Sequence, residues 1–129
     1  MAVTHINVVD CIRKFTINGQ VCERKSTQNT FAVANNQSVV AAVTGQRILV
    51  LGWKANGTTA AVGVMQFKSA SGGTMLTHPI VVPSNAAGNS DLLPINDTGW
   101  IETNTGEGLF VDITGAAVGL TLFYLTYTP

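Results

Sequence analysis

The chain has 129 residues with no formal net charge; 11% of them are charged and 46% are hydrophobic. This length fits one domain, or one domain with an arm, and is enough for a core without metals or disulfides. Soluble domains average about 25% charged residues, so the low charge indicates a surface covered by other protein. A small neutral β domain that is poor in charge is the alternative.

The charges are unevenly distributed along the chain. Basic residues are concentrated near the N-terminus, at Arg13, Lys14, Arg24 and Lys25. The stretch 91–112 carries carboxylates without a basic residue, namely Asp91, Asp97, Glu102, Glu107 and Asp112. This pattern argues against general nucleic-acid binding, which requires a basic face. It permits head-to-tail contact between a basic N-terminal region and an acidic edge of a neighbour, and scattered solvated charges are the alternative.

The N-terminal residues do not resemble a signal peptide, because residues 1–9 contain no basic n-region. No window approaches the roughly 20 apolar residues of a membrane helix. We therefore expect synthesis in a cytoplasm and no membrane partner.

Asn18-Gly19 is a strong signal for a two-residue β-hairpin, because both positions tolerate positive φ. The hairpin would pair residues 11–17 with 20–26 and place Cys22 opposite Phe15. Cys11 and Cys22 would then lie roughly 13 Å apart along the ladder, whereas a disulfide needs Cα atoms within about 7 Å. Free thiols are expected, although a different register would allow a disulfide.

Residues 26–30 are polar and predict a linker. The linker would divide an N-terminal arm or hairpin, residues 1–30, from a β-sandwich domain, residues 31–129. Such an arm can reach a neighbouring subunit, or it can add strands to its own sandwich.

From residue 31 onward, apolar and β-branched runs alternate with turn signals. The predicted strands cover 37–43, 47–54, 59–68, 75–82, a short strand around Trp100, 109–113 and 120–127. Pro79 places half of its strand at a sheet edge, and residues 83–90 read as a loop. The pattern predicts an all-β fold, an antiparallel β-sandwich or jelly-roll-like barrel of six to eight strands.

The search for chemistry yields no catalytic, metal-binding or cofactor-binding residue. His5 and His78 have no Cys, Asp or Glu at ligand spacing, and no nucleophile elbow or phosphate loop is present. Glu102 and Glu107 flank a turn and are candidates for a glycosidase pair. Solvated turn carboxylates are the favoured interpretation.

Aromatic residues within strands are usually core or subunit contacts. We therefore predict core or oligomer roles for Trp53, Phe67, Trp100, Phe110, Phe123, Tyr124 and Tyr127. The alternative is a sugar-binding platform formed by Trp53, Trp100, Phe123, Tyr124 and Tyr127. In a fibre module, Trp53 and the loop 83–91 are the candidate sugar contacts.

An ordered set of segments resembles a known group of proteins. The segments are 47–52, 64–69, 93–94, 98–103, 106–109 and 119–124. Together they resemble small β-sandwich structural proteins that are encoded among the virion genes of tailed bacteriophages. In that group such domains decorate or cement the capsid, often as trimers, or form head-fibre and tail-fibre modules.

The resemblance implies a non-enzymatic virion protein on the capsid surface, made in the host cytoplasm. Its expected partners are the major capsid protein and further copies of itself, as a homotrimer, without nucleic acid. We expect the capsid contact within residues 1–30, with Arg13, Lys14, Phe15, Arg24 and Lys25 as candidates. A fibre module that contacts host glycans is the alternative, and a hydrolase that uses Glu102 or Asp112 ranks third.

Overall fold

The computed structural model describes residues 14–96 and 98–129, with side chains from Thr16 onward. This part of the chain is nearly all β, with a single 3₁₀ turn at Asn85–Ala87. The strands are β1 (Lys14–Ile17), β2 (Gln20–Glu23), β3 (Lys25–Phe31), β4 (Ala34–Val40), β5 (Arg47–Gly57), β6 (Gly63–Ser69), β7 (Thr74–Met75), β8 (Ile80–Val82), β9 (Asp91–Leu93), β10 (Ile101–Glu102), β11 (Leu109–Thr114) and β12 (Val118–Tyr127). No described helix has the length and apolar character needed to cross a membrane.

Two antiparallel sheets form the sandwich. The first runs β3, β12, β5 and then β9 and β10, which both pair with β5. The second runs β4, β11, β6 and then β7 and β8, which both pair with β6. The short strands β9 and β10 share one position beside β5, and β7 and β8 share one position beside β6. Each sheet therefore has four strand positions, and the eight positions follow the order of a jelly roll. The predicted antiparallel sandwich is confirmed.

The main core lies between the two sheets. It is built from alternating inward-facing residues, because successive side chains of a strand point to opposite faces. In β12 these are Val118, Leu120 and Leu122, all at most 2% exposed. Trp53 of β5 and Phe67 of β6 meet across the sandwich with their ring centroids 5.0 Å apart.

Part of the outer face of the first sheet is also apolar, because β5 contains a bulge. Phe123 lies opposite Gly52 and Tyr124 opposite Val50, so that Leu51 is an extra residue in β5. Leu49, Leu51 and Leu125 form a separate buried cluster with Cys22, and none of the four is more than 9% exposed. We call this set the outer cluster.

The hairpin β1–β2 covers the outer cluster. Its turn is the predicted one, with φ of 52° at Asn18 and 74° at Gly19, and Cys22 lies opposite Phe15 as expected. Cys22 supplies a buried side chain to the cluster, and Ile17 packs against it. Cys22 forms no disulfide within the described chain, and Cys11 lies outside the described residues. The hairpin therefore packs on the sandwich of its own chain.

Residues 26–30 do not form a linker, and that prediction is wrong. They belong to β3, which pairs with β12 from Phe31 opposite Val118 to Lys25 opposite Tyr124. The strand is polar because it lies at a sheet edge, where most of its side chains reach solvent. β9 was also missed, because three residues between an Asn-rich loop and Pro94 carry little β signal. The division into an arm of residues 1–30 and a domain of 31–129 stays a prediction.

Replacement of Leu125 by alanine should lower the free energy of unfolding by about 3 kcal/mol, because it leaves a cavity under the hairpin. Val21→Ala is the control, because Val21 is 68% exposed on the other side of the same hairpin and should change stability by less than about 0.5 kcal/mol. Urea titration measures both values. Equal values for the two variants would contradict the packing of the hairpin on the sheet.

Candidate interaction surface

The carboxylates of residues 91–112, for which the sequence favoured a solvated role in turns, form hydrogen bonds within the fold. In the described residues, Asp91, Glu102, Glu107 and Asp112 each accept a hydrogen bond from another side chain. Asp97 lies outside the described residues. The described carboxylates of residues 91–112 are therefore engaged in hydrogen bonds within the chain.

Asp112 and Lys68 form a buried ion pair on the outer face of the second sheet. The Lys68 ammonium lies 2.8 Å from Asp112 Oδ1 and 2.9 Å from Oδ2, and the two side chains are 5% and 14% exposed. The Asn36 amide also donates to Asp112 Oδ1, at 2.7 Å. Asn36 Oδ1 in turn accepts the Gly72 amide at 2.7 Å. The pair thus connects β6 and β11 to the bulge of β4 and to the turn after β6.

Burial by itself would raise the pKa of Asp112. The hydrogen bonds from Lys68 and the Asn36 amide, together with the Lys68 charge, outweigh burial and hold this pKa below its ordinary value. A lowered pKa in the folded state stabilises the fold above the unfolded value of about 3.9. That stabilisation is lost as the pH falls through the lower pKa of the folded protein.

Asp112→Asn should lower the free energy of unfolding at pH 7 by about 3 kcal/mol, because Lys68 stays buried without its counter-charge. The double variant Lys68→Met/Asp112→Leu should recover most of this loss. Denaturant titrations between pH 7 and 3 should show the difference between wild type and Asp112→Asn shrinking below about pH 4. A pH-independent difference would contradict the ion pair as its source.

Glu102 and Glu107 have separate partners and do not act as a pair. Glu102 receives hydrogen bonds from Arg47, at 2.8 Å, and from the Tyr127 hydroxyl, so that it connects three strands of the first sheet. Burial, followed by the hydrogen bond and charge of Glu102, raises the pKa of Tyr127. Glu107 accepts a hydrogen bond from Ser69, whose side chain is buried in the other sheet. The contacts favour structural roles for both carboxylates.

Trp53 does not fit the role of a sugar platform, and that alternative is wrong for this residue. Its side chain is 5% exposed and stacks on Phe67 in the core. Its indole N–H donates to Asp91 Oδ2 at 2.8 Å. The ring therefore has no face available to a ligand, and Asp91 at the end of the loop 83–91 is already engaged.

The other predicted aromatic residues are distributed over three environments. Phe67 is fully buried, and Tyr124 packs against the same core. Phe123 and Tyr127 pack against the outer cluster. Phe110 is half-buried on β11, and Trp100 is 44% exposed.

Trp100 belongs to an exposed apolar segment at the edge of the first sheet. Leu92 is 65% exposed, and Ile95 and Trp100 are each 44% exposed. Trp100 is fixed in place, because its amide donates to Val50 O and its indole N–H donates to Pro94 O, both at 2.9 Å. Sequence reasoning missed Leu92 and Ile95. The sequence did not predict a strand at 91–93, so it gave no indication that Leu92 points away from the core.

A shallow depression of about 330 Å³ adjoins this segment. Its lining consists of Leu49, Thr98, Gly99, Trp100, Ile101 and Glu102. Leu49 also belongs to the outer cluster under the hairpin, so the hairpin and the depression are neighbours on one face of the sandwich. We call Leu92, Ile95, Trp100 and this depression the Trp100 surface.

The predicted basic contact residues are only partly described. The guanidinium of Arg24 lies over the Phe123 ring, 5.5 Å from its centroid, and Lys25 is exposed at the start of β3. Arg13 and the side chains of Lys14 and Phe15 lie outside the described residues. The role of this group in binding stays a prediction.

Comparison with known proteins leaves the family open. No family model matches the chain, and no curated protein matches it. A solved structure of Bacillus endospore appendages, described as a novel family of disulfide-linked pili, is 18% identical over 88% of this chain and 95% of that one, with a TM-score of 0.49. Chains from the Gt and Gx strains of infectious bursal disease virus are 13% and 9% identical and cover 90% and 81% of this chain. Their TM-scores are 0.21 and 0.22, and only 37% and 38% of their own length is matched. Similarities at this level assign no function.

Proposed function

We propose that this chain is a non-enzymatic structural protein that binds other protein through the Trp100 surface. Its specific role in this proposal is decoration of a bacteriophage capsid by attachment to the major capsid protein. The observation that carries the binding role is the exposure of Leu92, Ile95 and Trp100 along one edge of the first sheet. The resemblance of residues 47–127 to virion proteins supports the major capsid protein as the partner in this proposal.

Exposed apolar residues that lie together typically mark a protein-binding site, because their burial removes apolar area from water. A large aromatic side chain that is already held in position loses little conformational entropy on binding. Trp100 meets this condition, since both of its N–H groups are hydrogen-bonded within the chain. The ring is thus ordered before any partner arrives.

The contacts of the carboxylates support the non-enzymatic part of the proposal. Glu102 and Asp112 were the candidate catalytic groups, and each has a cationic partner within 2.9 Å. A catalytic acid or base must be free to exchange a proton with a substrate. The two ion pairs instead give these groups a role in stabilising the sandwich.

Trp100→Ala should weaken binding to capsids by at least about tenfold, as expected for a central aromatic contact. The measurement is cosedimentation of the purified chain with undecorated heads assembled from the major capsid protein of the same genome. Val81→Ala is the matched control, since Val81 is 63% exposed on β8 of the opposite sheet and should bind like wild type.

Absence of binding by the wild-type chain would refute the capsid role. Binding that is lost equally in both variants would refute the assignment of the contact to the Trp100 surface. Thermal unfolding of both variants confirms that any loss of binding does not arise from unfolding.

A second function, recognition of a host glycan by a fibre module, is favoured by the depression beside Trp100. It combines an aromatic ring with the hydroxyl of Thr98, and sugars stack on aromatic faces while forming hydrogen bonds with hydroxyl groups. Glycan-array binding that is lost in Trp100→Ala and retained in Trp100→Phe would support it. Capsid binding without any glycan signal would reject it.

A further inference from the structure

The sandwich has four lateral edge positions in the described residues, and β3 differs from the other three. Natural sheets protect their edges with prolines, bulges, short strands or inward charges, because an exposed edge pairs readily with another strand. At the edge formed by β7 and β8, residues 76–79 separate the two strands and include Pro79. At the edge formed by β9 and β10, residues 94–100 separate the two strands and include Pro94. Both edges are therefore too short and interrupted to accept a long strand.

The β4 edge is protected by a bulge. Asn36 has φ of 58° and lies in one of two register shifts between β4 and β11, the one from Gln37 to Ala34. The Gln37 side chain donates to the carbonyls of Ala32 and Ala34, at 2.7 and 3.0 Å. Groups along this edge are thus engaged within the chain.

Apart from the charge of Lys25 at its first residue, which lies opposite Tyr124 and therefore on the core side of the sheet, the β3 edge has none of these protections. It is a continuous strand of seven residues, KSTQNTF, without proline. It pairs in regular register with β12 on one side, and no strand of the described chain pairs with its other side. One local contact is present, from the Thr30 amide to its neighbour Asn29 Oδ1 at 2.9 Å. A pairing strand would replace that contact.

We infer that β3 is a docking edge at which two copies of this chain pair β3 against β3, antiparallel and related by a two-fold axis. The register that pairs all seven residues is centred on Gln28, so that Gln28 lies opposite Gln28 of the second copy. Lys25 then lies opposite Phe31 of the second copy, and no like charges face each other across the junction. The two first sheets would join into one continuous sheet across the dimer.

The self-complementarity of β3 distinguishes a second copy from other partners. Its residues between the ends, Ser26 to Thr30, are all uncharged and polar, so that hydroxyl and amide side chains face each other in this register. Such pairs stabilise antiparallel strands, and a two-fold interface uses the same surface on both copies. This inference is independent of the proposed capsid role, and its two-fold symmetry differs from the homotrimer that the resemblance implies.

A charge exchange at the symmetry centre tests the pairing. Gln28→Lys and Gln28→Glu each place like charges directly opposite one another, and each should weaken self-association by about fivefold or more. An equimolar mixture of the two variants should associate at least as tightly as wild type, because opposite charges then face each other. Sedimentation equilibrium of the full chain over a range of concentrations measures the association of each variant, of their mixture and of the wild type.

Ser38→Lys and Ser38→Glu on the bulged β4 edge are the matched controls, and they should associate like wild type. A wild-type chain that stays monomeric would overturn the inference. Occupation of the β3 edge by the chain's own residues 1–13 would overturn it as well. A trimer, or any oligomer whose mass the Gln28 variants leave unchanged, would also overturn it.

Discussion

The structure depends on the pairing of β5 with β12, two long strands that are apolar on both faces. The bulge at Leu51 allows this, because it lets Val50 and Trp53 both face the core while Leu49 and Leu51 face outward. A sheet with two apolar faces must be covered twice. The second sheet covers one face, and the N-terminal hairpin covers part of the other.

The need to cover both faces of the first sheet determines which apolar surface stays available for interaction with other molecules. The hairpin is used within its own chain, so that its described part is not a free arm. The outer face beyond the hairpin keeps Leu49 at the margin of a depression, with Trp100 beside it. The candidate surface is therefore the part of an apolar sheet face that the hairpin does not cover.

The sequence was most informative where local rules decide the structure. Asn18-Gly19 predicted the hairpin and its register, because the two-residue turn fixes the pairing of both strands. Alternation of side chains along β6 puts Met65 and Phe67 on one face of the strand, and both lie in the core. β3 was missed because an edge strand with solvent on most of its surface does not need apolar residues, so its composition resembles that of a linker.

The site was harder to predict, because it depends on contacts between residues that are distant in the sequence. Nothing near Trp53 indicates that Asp91 accepts its indole N–H, and nothing near Glu102 indicates that Arg47 and Tyr127 bind it. Exposure of Trp100 likewise follows from the position of β10 at a sheet edge. These contacts changed the favoured interpretation of the carboxylates in residues 91–112 from solvated turn groups to hydrogen-bonded groups that stabilise the fold beside a binding surface.

Hydrogen–deuterium exchange of the chain, alone and bound to undecorated capsids, distinguishes binding through the Trp100 surface from binding through the opposite sheet. Binding should slow exchange in residues 92–101, while the amides of β7 and β8 on the opposite sheet keep their rates. Slower exchange confined to the opposite sheet, with no change at residues 92–101, would contradict binding through the Trp100 surface.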